Sequence, residues 1–408
     1  MPHLSGSLRL NMKINPAARL SELPLHFFAS YADTLAKLEA QGIDVIHLDV
    51  GSPDLPPPDA VIRTLAEKAA EPHTHGYQSH RWTASYRNAW SDFYRQRFAV
   101  NLDPDLNILP LIGSKEGIFH LMLAMLNPED VVLVPNPGYI TYLRGTQLAG
   151  GQPHQFVLDE KSWYLPDFAS IPSEIISKAK ILWLNYPNNP TSATAGLDFF
   201  AEALDFARKN NLLVCHDAAY TQITYENFKA HSLLEIAGAL ENAVEFNTLS
   251  KSHNMAGWRV GILAGNADVI QALYKLKSSA DSGHFLPIIE AATTALATPQ
   301  EWLDQRNLIY QERRDILHAG LVKLGFNLPL PMASLYIWWK LPDGIDAASF
   351  TTDLLENTHV SGTPGNVFGS QGEGYIRLSL TESTQRIIDA VDRLTNWINH
   401  GTAFSNRG

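Results

Sequence analysis

Apolar positions first recur at helical spacing between His26 and Gln41, where Phe27, Phe28, Tyr31, Leu35 and Leu38 share one face. Gly42 closes that helix, and Val45–Val50 reads as a short strand. Gly51-Ser-Pro-Asp-Leu-Pro-Pro-Pro58 holds too much proline for a helix or a central strand, so it reads as a crossing between two structural units. From there to about residue 290, short apolar runs alternate with amphipathic helices. The runs are Asn107–Ile112, Val131–Val134, Lys180–Asn185, Leu212–His216, Val244–Thr248 and Gly261–Ala264; Gly117–Leu126, Leu197–Lys209 and Val269–Lys277 read as helices between them. Such alternation predicts βαβ units and a mostly parallel sheet sandwiched by helices. One long helical pattern runs from Leu286 to Leu324. Strands at Leu335–Lys340 and Tyr375–Leu380 and a closing helix at Thr381–Asn399 give the tail an α+β texture.

The pattern divides the chain into an N-terminal arm (1–16), the first part of a small domain (17–52), a large α/β domain (53–290), and an interdomain helix with the rest of the small α+β domain (291–408). At 408 residues the length suits two domains. The net charge of −11 argues against nucleic acid or an anionic membrane as the main partner. Local basic residues still decide whether a small anion binds. Cys215 is the single cysteine, so no intrachain disulfide and no cysteine-built zinc or iron–sulfur site can form. No apolar run approaches the roughly 18 residues of a membrane helix, and Met1–Asn15 lacks the apolar stretch of a signal peptide. The expectation is a cytoplasmic protein. No His-Glu-x-x-His pattern points to a metal, and no Gly-x-Gly-x-x-Gly follows the first strand.

Parallel sheets of this kind bind ligands beyond the carboxyl ends of their strands, which directs attention to the residues that follow each apolar run. Gly113-Ser114-Lys115 leads from strand to helix and offers an anion a helix N-terminus with two added donors, although a plain βα turn reads the same way. Tyr139 follows Pro135-Asn-Pro-Gly138 and can stack on a planar ligand or simply pack its loop. Asn189 sits in a stiff Tyr-Pro-Asn-Asn-Pro loop. Asp217 ends an apolar strand, where a carboxylate needs a partner or serves as a helix cap, and Tyr220 follows it. Thr248, Ser250 and Lys251 close another strand, with Arg259 eight residues beyond the lysine. A lysine freed from water loses basicity and becomes a nucleophile able to form a Schiff base, and an arginine fork suits a phosphate. Arg377, mid-strand among apolar residues, expects a carboxylate from substrate or protein.

Together these residues describe one ligand, a planar cationic ring carrying a phosphate and an aldehyde, which fits pyridoxal 5'-phosphate (PLP). Asn185-Tyr-Pro-Asn-Asn-Pro-Thr191, Cys215-His-Asp-Ala-Ala-Tyr220 and Ser250-Lys-Ser-His-Asn-Met-Ala-Gly-Trp-Arg-Val-Gly261 resemble the fold-type-I PLP-dependent aminotransferases of class I/II. The resemblance runs from about Ala17 to Trp397. Within the class, Leu109–Gly117, Asp281-Ser-Gly283 and Gly372–Ser379 are most similar to LL-diaminopimelate aminotransferases.

The resemblance implies the PLP-dependent transferase fold type I, with residues 53–290 binding the cofactor, and assigns the residues roles. Lys251 joins the cofactor aldehyde and then moves the substrate α-proton, Asp217 pairs with the ring nitrogen, and Tyr220 and Asn189 bond the ring oxygen. Tyr139 stacks on the ring, while Gly113, Ser114, Lys115, Thr248, Ser250 and Arg259 hold the phosphate. Tyr77 reaches the phosphate of the neighbouring subunit, implying a homodimer, and Arg377, Asn189 and the backbone at Gly51 bind substrate. The implied activity moves an amino group between an amino acid and a 2-oxo acid such as 2-oxoglutarate, with lysine biosynthesis as its setting if the donor is LL-diaminopimelate. Donors such as aspartate, alanine, methionine or aromatic amino acids, or a β-elimination on the same cofactor, are the alternatives. Two residues depart from the family pattern. Ser192 stands where glycine is usual, and His253 where tyrosine often follows the lysine. Lys277-Ser-Ser-Ala before Asp281 is a looser match, in a region expected to border the substrate side chain.

Overall fold

The computed structural model describes residues 15–21 and 27–400. The expected arm over residues 1–16 lies almost wholly outside them. The strands are β1 (Ile46–His47), β2 (Ile108–Leu111), β3 (Val131–Asn136), β4 (Gln152–Val157), β5 (Ala179–Leu184), β6 (Leu213–Asp217), β7 (Ala243–Thr248), β8 (Gly261–Gly265), β9 (Tyr336–Lys340), β10 (Val360–Ser361), β11 (Thr363–Pro364) and β12 (Tyr375–Ser379). Seven form one sheet in the order β2-β8-β7-β6-β5-β3-β4. All of its pairs are parallel except those made by β8, which runs against both β2 and β7.

The apolar runs are long because both faces of this sheet are covered. Val132 and Val134 enter one core with Trp183 and Phe246, while Val131 and Leu133 enter another with Leu182 and Val214. The covering helices carry matching stripes. Leu197–Lys209 buries Phe199, Phe200, Ala203, Leu204 and Ala207, and Arg208 and Lys209 sit in its last turn, where cations favour the helix dipole. Each large side chain so buried contributes about 1.5–3 kcal/mol of transfer free energy.

A second, antiparallel sheet has the order β11-β12-β9, and β1 pairs in parallel with β10. Its core joins Ile46, Leu48, Tyr336, Trp339, Ile376 and Leu394. The crossing segment over residues 51–58 is irregular, as its prolines dictate. Arg313 grips it with both guanidinium nitrogens on Asp54, at 2.8 and 2.9 Å. This bidentate pair ties the crossing to the helix Gln300–Lys323.

Three elements differ from the sequence reading. The strand expected at Val45–Val50 shortens to Ile46–His47. The pattern from Leu286 to Leu324 is two helices, Leu286–Leu296 and Gln300–Lys323, because Pro299 has no N–H to continue the first and its fixed φ instead starts the second. Strand β4 was not foreseen, since as an edge strand it is half-exposed and carries a proline.

Candidate active site

A cavity of about 470 Å³ opens at the carboxyl ends of the parallel strands, within the size range of small-molecule sites. Strands β2, β6 and β7 deliver Ser114, Asp217 and Thr248 to it. Because β8 runs the other way, its entry residue Arg259 reaches the same rim. Ser114, Lys115, Tyr139, Asn189, Tyr220, Ser250, Lys251, Arg377 and Gly51 complete the set expected to meet there. Four of these are cations and one is an acid, so the cavity is cationic within a chain of net charge −11.

At one end, the helix Ser114–Met125 begins at the rim with Gly113 as its cap. Gly113 has φ +77°, and a Cβ there would collide with the Arg259 guanidinium, so glycine alone fits both the turn and the approach. Thr248 Oγ1 lies 2.8 Å from Val260 O and 2.9 Å from Ser250 Oγ and accepts the Ser250 N–H at 3.1 Å, which fixes both hydroxyls at the rim. Burial lowers the basicity of Lys115, and the neighbouring Arg259 adds to this. An anion bound here would relieve both effects.

Deeper in, Asp217 is buried at the end of β6. Its Oδ2 accepts a 2.8 Å bond from the Tyr142 hydroxyl, while Oδ1 has no hydrogen-bond partner among the described residues. Burial pushes the carboxyl pKa up; Tyr142 and the nearby His216 oppose that. Asn185 Nδ2 holds the Asp217 carbonyl at 2.7 Å, and its Oδ1 accepts the Asn189 N–H at 2.8 Å. One asparagine thus sets the spacing of Asp217 and the Asn189 loop.

Lys251 is partly buried, and its Nζ donates to the Gly51 carbonyl at 2.5 Å. Burial lowers its pKa, with Arg377 and Arg259 adding to the effect against Tyr336 and Asp217. Arg377 is buried on β12, donating to Asn189 Oδ1 at 2.9 Å and to Asp49 O at 2.6 Å. The carboxylate expected beside it is not supplied by the described protein residues, and its Nε has no partner. The guanidinium carbon stands 4.2 Å from the Tyr336 ring centre and 4.7 Å from that of Phe368.

The family model for aminotransferase class I and II matches residues 43–394. The chain belongs to the class I and II aminotransferases. It is 46% identical to an LL-diaminopimelate aminotransferase from Desulforudis audaxviator, over 94% of this chain and 98% of that protein. It is 45% identical to one from Moorella thermoacetica, over 93% and 97%. Among solved structures it is similar to BacF from Bacillus subtilis, with TM-score 0.91 and 34% identity over 95% of this chain and 98% of that one. An aspartate aminotransferase from Thermotoga maritima gives TM-score 0.87 and 27% identity, over 94% and 100%. The fold is therefore that of the fold-type-I PLP enzymes, and the protein is a transaminase using PLP.

The residues of this aminotransferase fit that cofactor. A buried carboxylate oxygen without a partner suits a protonated ring nitrogen, and a helix N-terminus beside Lys115 and Arg259 suits a phosphate. Of the expected site residues, Gly113 stands just behind the lining as the cap of the helix Ser114–Met125, whereas Tyr77 is not brought to the cavity at all and is 97% exposed. Asp281–Gly283 does not border the cavity within this chain either. Asp281 Oδ2 pairs with Lys277 Nζ at 2.6 Å, and Gly283 packs on the backbone of Gln78 and Ser79, beside Tyr77.

The aminotransferase site also has residues, lining the cavity or supporting its lining, that sequence reasoning missed. Tyr142, on the helix Thr141–Leu148, bonds Asp217 and stacks on Trp183 at 4.7 Å. Tyr336 lay inside an apolar run, and Phe28 on the stripe of the first helix. Both departures from the family pattern are accommodated. Ser192 adopts φ +60°, the left-handed region where glycine is usual, and its hydroxyl donates to Tyr336 O at 2.9 Å. His253 is buried, stacks on Trp302 and hydrogen-bonds Ser252 Oγ; burial pulls its pKa down to about 3.

Proposed function

We propose that this aminotransferase takes LL-diaminopimelate as amino donor and 2-oxoglutarate as acceptor, with Lys251 as its catalytic lysine. The substrate rests on the two relatives of that name, each matched over more than nine-tenths of both chains. The site rests on one observation: the cavity unites a lysine of lowered basicity, an unpartnered buried carboxylate oxygen and an arginine with donors to spare.

PLP, when bound, supplies the electron sink that lets an α-proton leave the amino acid. In this reading the chain does the rest. Asp217 keeps the ring nitrogen protonated, held by the Tyr142 hydroxyl. Tyr220 and Asn189 face the ring oxygen, and Tyr139 covers the ring. Gly113, Ser114, Lys115, Thr248, Ser250 and Arg259 hold the phosphate. Arg377 grips the substrate α-carboxylate against the Gly51 backbone, and its buried position keeps water from competing. Lys251 Nζ takes the α-proton; burial lowers its pKa, which favours the free amine that a base requires.

The division into a large domain over residues 53–290 and a small one around it, a cytoplasmic location, and a homodimer with Tyr77 serving the partner's phosphate belong to the same reading. An exposed tyrosine outside its own cavity supports the last.

A half-reaction tests the substrate. The PLP-loaded protein is mixed with single amino acids and no acceptor. LL-diaminopimelate bleaches the visible band and 2-oxoglutarate restores it. Bleaching by aspartate, alanine, methionine or phenylalanine but not by LL-diaminopimelate would move the assignment to another donor. Release of pyruvate and ammonia would make the enzyme a lyase.

A further inference from the structure

Tyr336 is a buried residue of β9 that lines the cavity. Its hydroxyl lies 2.8 Å from the Tyr220 hydroxyl. Gly51 makes the space for it, since a Cβ at Gly51 would overlap the Tyr336 hydroxyl and ring. The same Gly51 presents its carbonyl to Lys251. The ring of Tyr336 lies under Arg377, and its own backbone carbonyl is held by Ser192. Tyr336 is therefore fixed from four sides, and its polar atom touches the tyrosine read above as the partner of the ring oxygen.

We propose that Tyr336 is a positioning residue for amino transfer, setting through its hydroxyl how strongly Tyr220 donates to the cofactor ring oxygen and linking that strength to the Arg377 clamp. The proposal rests on the reading that Lys251 holds PLP and Tyr220 faces the ring oxygen. Each phenol has one proton. When Tyr220 gives its proton to the ring oxygen, the contact between the two hydroxyls must be filled by the Tyr336 proton, donated to the Tyr220 oxygen. Hydrogen bonds in such a chain polarise one another, so Tyr220 becomes a stronger donor than it would be alone. A stronger donor favours the ring oxygen as an anion. That makes the nitrogen joining Lys251 to the cofactor easier to deprotonate. Because the Arg377 guanidinium rests on the same ring, a carboxylate bound at Arg377 shifts the electrostatic surroundings of the pair.

The test is a spectroscopic titration without substrate. Wild-type protein and Tyr336→Phe are loaded with PLP, and the visible band is followed against pH. Tyr336→Phe keeps the ring and removes only the hydroxyl, so the midpoint rises, by several tenths of a unit to about one unit. Ser192→Gly frees the Tyr336 backbone while keeping a residue suited to φ +60°, and it moves the midpoint in the same direction by less. A purely structural tyrosine would leave the midpoint where it is. An unchanged or lowered midpoint in Tyr336→Phe overturns the proposal. If that variant does not fold, Ser192→Gly decides, with a rise supporting the proposal and no change overturning it. If the wild-type protein binds PLP without a titrating band, the reading of Lys251 fails first and takes the proposal with it.

Discussion

Asp217 pairs one oxygen with Tyr142, and the other has no partner among the described residues, so the second oxygen is available to a ligand. Its pKa is raised because burial disfavours the charged form, and a bound ring nitrogen needs that charged form. In the cofactor-free protein a proton therefore competes with the cofactor. PLP affinity falls as pH drops through the raised Asp217 pKa and is fully present above it. Tyr142→Phe removes a bond that lowers this pKa, so the fall in affinity begins at higher pH. Hydrogen bonds to charged groups contribute about 1.5–3 kcal/mol, so the apparent Kd in the range where the proton competes rises by roughly ten-fold or more. Measuring Kd against pH for both proteins checks this; superimposable profiles would contradict it. The same residues show what sequence made visible. Asp217, Lys251 and Arg259 stood out because a charged group beside an apolar run needs a reason. Tyr142 and Tyr336 did not, because an aromatic among apolar neighbours is indistinguishable from core until the strand order aims its hydroxyl.

At the scale of elements, alternation of apolar runs with amphipathic helices was enough to read a mostly parallel sheet, because strands covered on both faces are nearly all apolar. The reversal of β8 carried no such mark, since its burial is the same in either direction. The break at Pro299 was missed because helical spacing resumes on its far side. Helix packing is a separate matter, settled at single glycines. In the helix Gln300–Lys323, a Cβ at Gly320 would lie 2.5 Å from Val391 Cγ1 on the helix Thr384–His400. Alanine gains about 1 kcal/mol over glycine in helix propensity, while overpacking costs typically 1–3 kcal/mol. Val391 is β-branched and cannot turn both methyls away. Gly320→Ala should therefore lower the melting temperature, and adding Val391→Ala should reverse part of the loss. A melting temperature raised by Gly320→Ala alone would show that the helices separate freely.

Across the whole molecule, charge is distributed against its own average. A chain with 42 acidic and 31 basic residues gathers Lys115, Lys251, Arg259 and Arg377 around a single lining carboxylate. Net charge argued against polyanions, and only the fold shows where a small anion finds its counter-charge. The gathering follows from topology. Strands from distant parts of the sequence end at one edge, the antiparallel β8 starts there, and β12 brings Arg377 from the second sheet. In the proposed function, Lys251 is the point of attachment in this gathered site. The most direct measurement is borohydride reduction of the PLP-loaded protein, followed by mass mapping of its peptides. The reduced cofactor should be fixed to Lys251 alone. Labelling of Lys115, the other lysine lining the cavity, or of no lysine at all, would contradict the account.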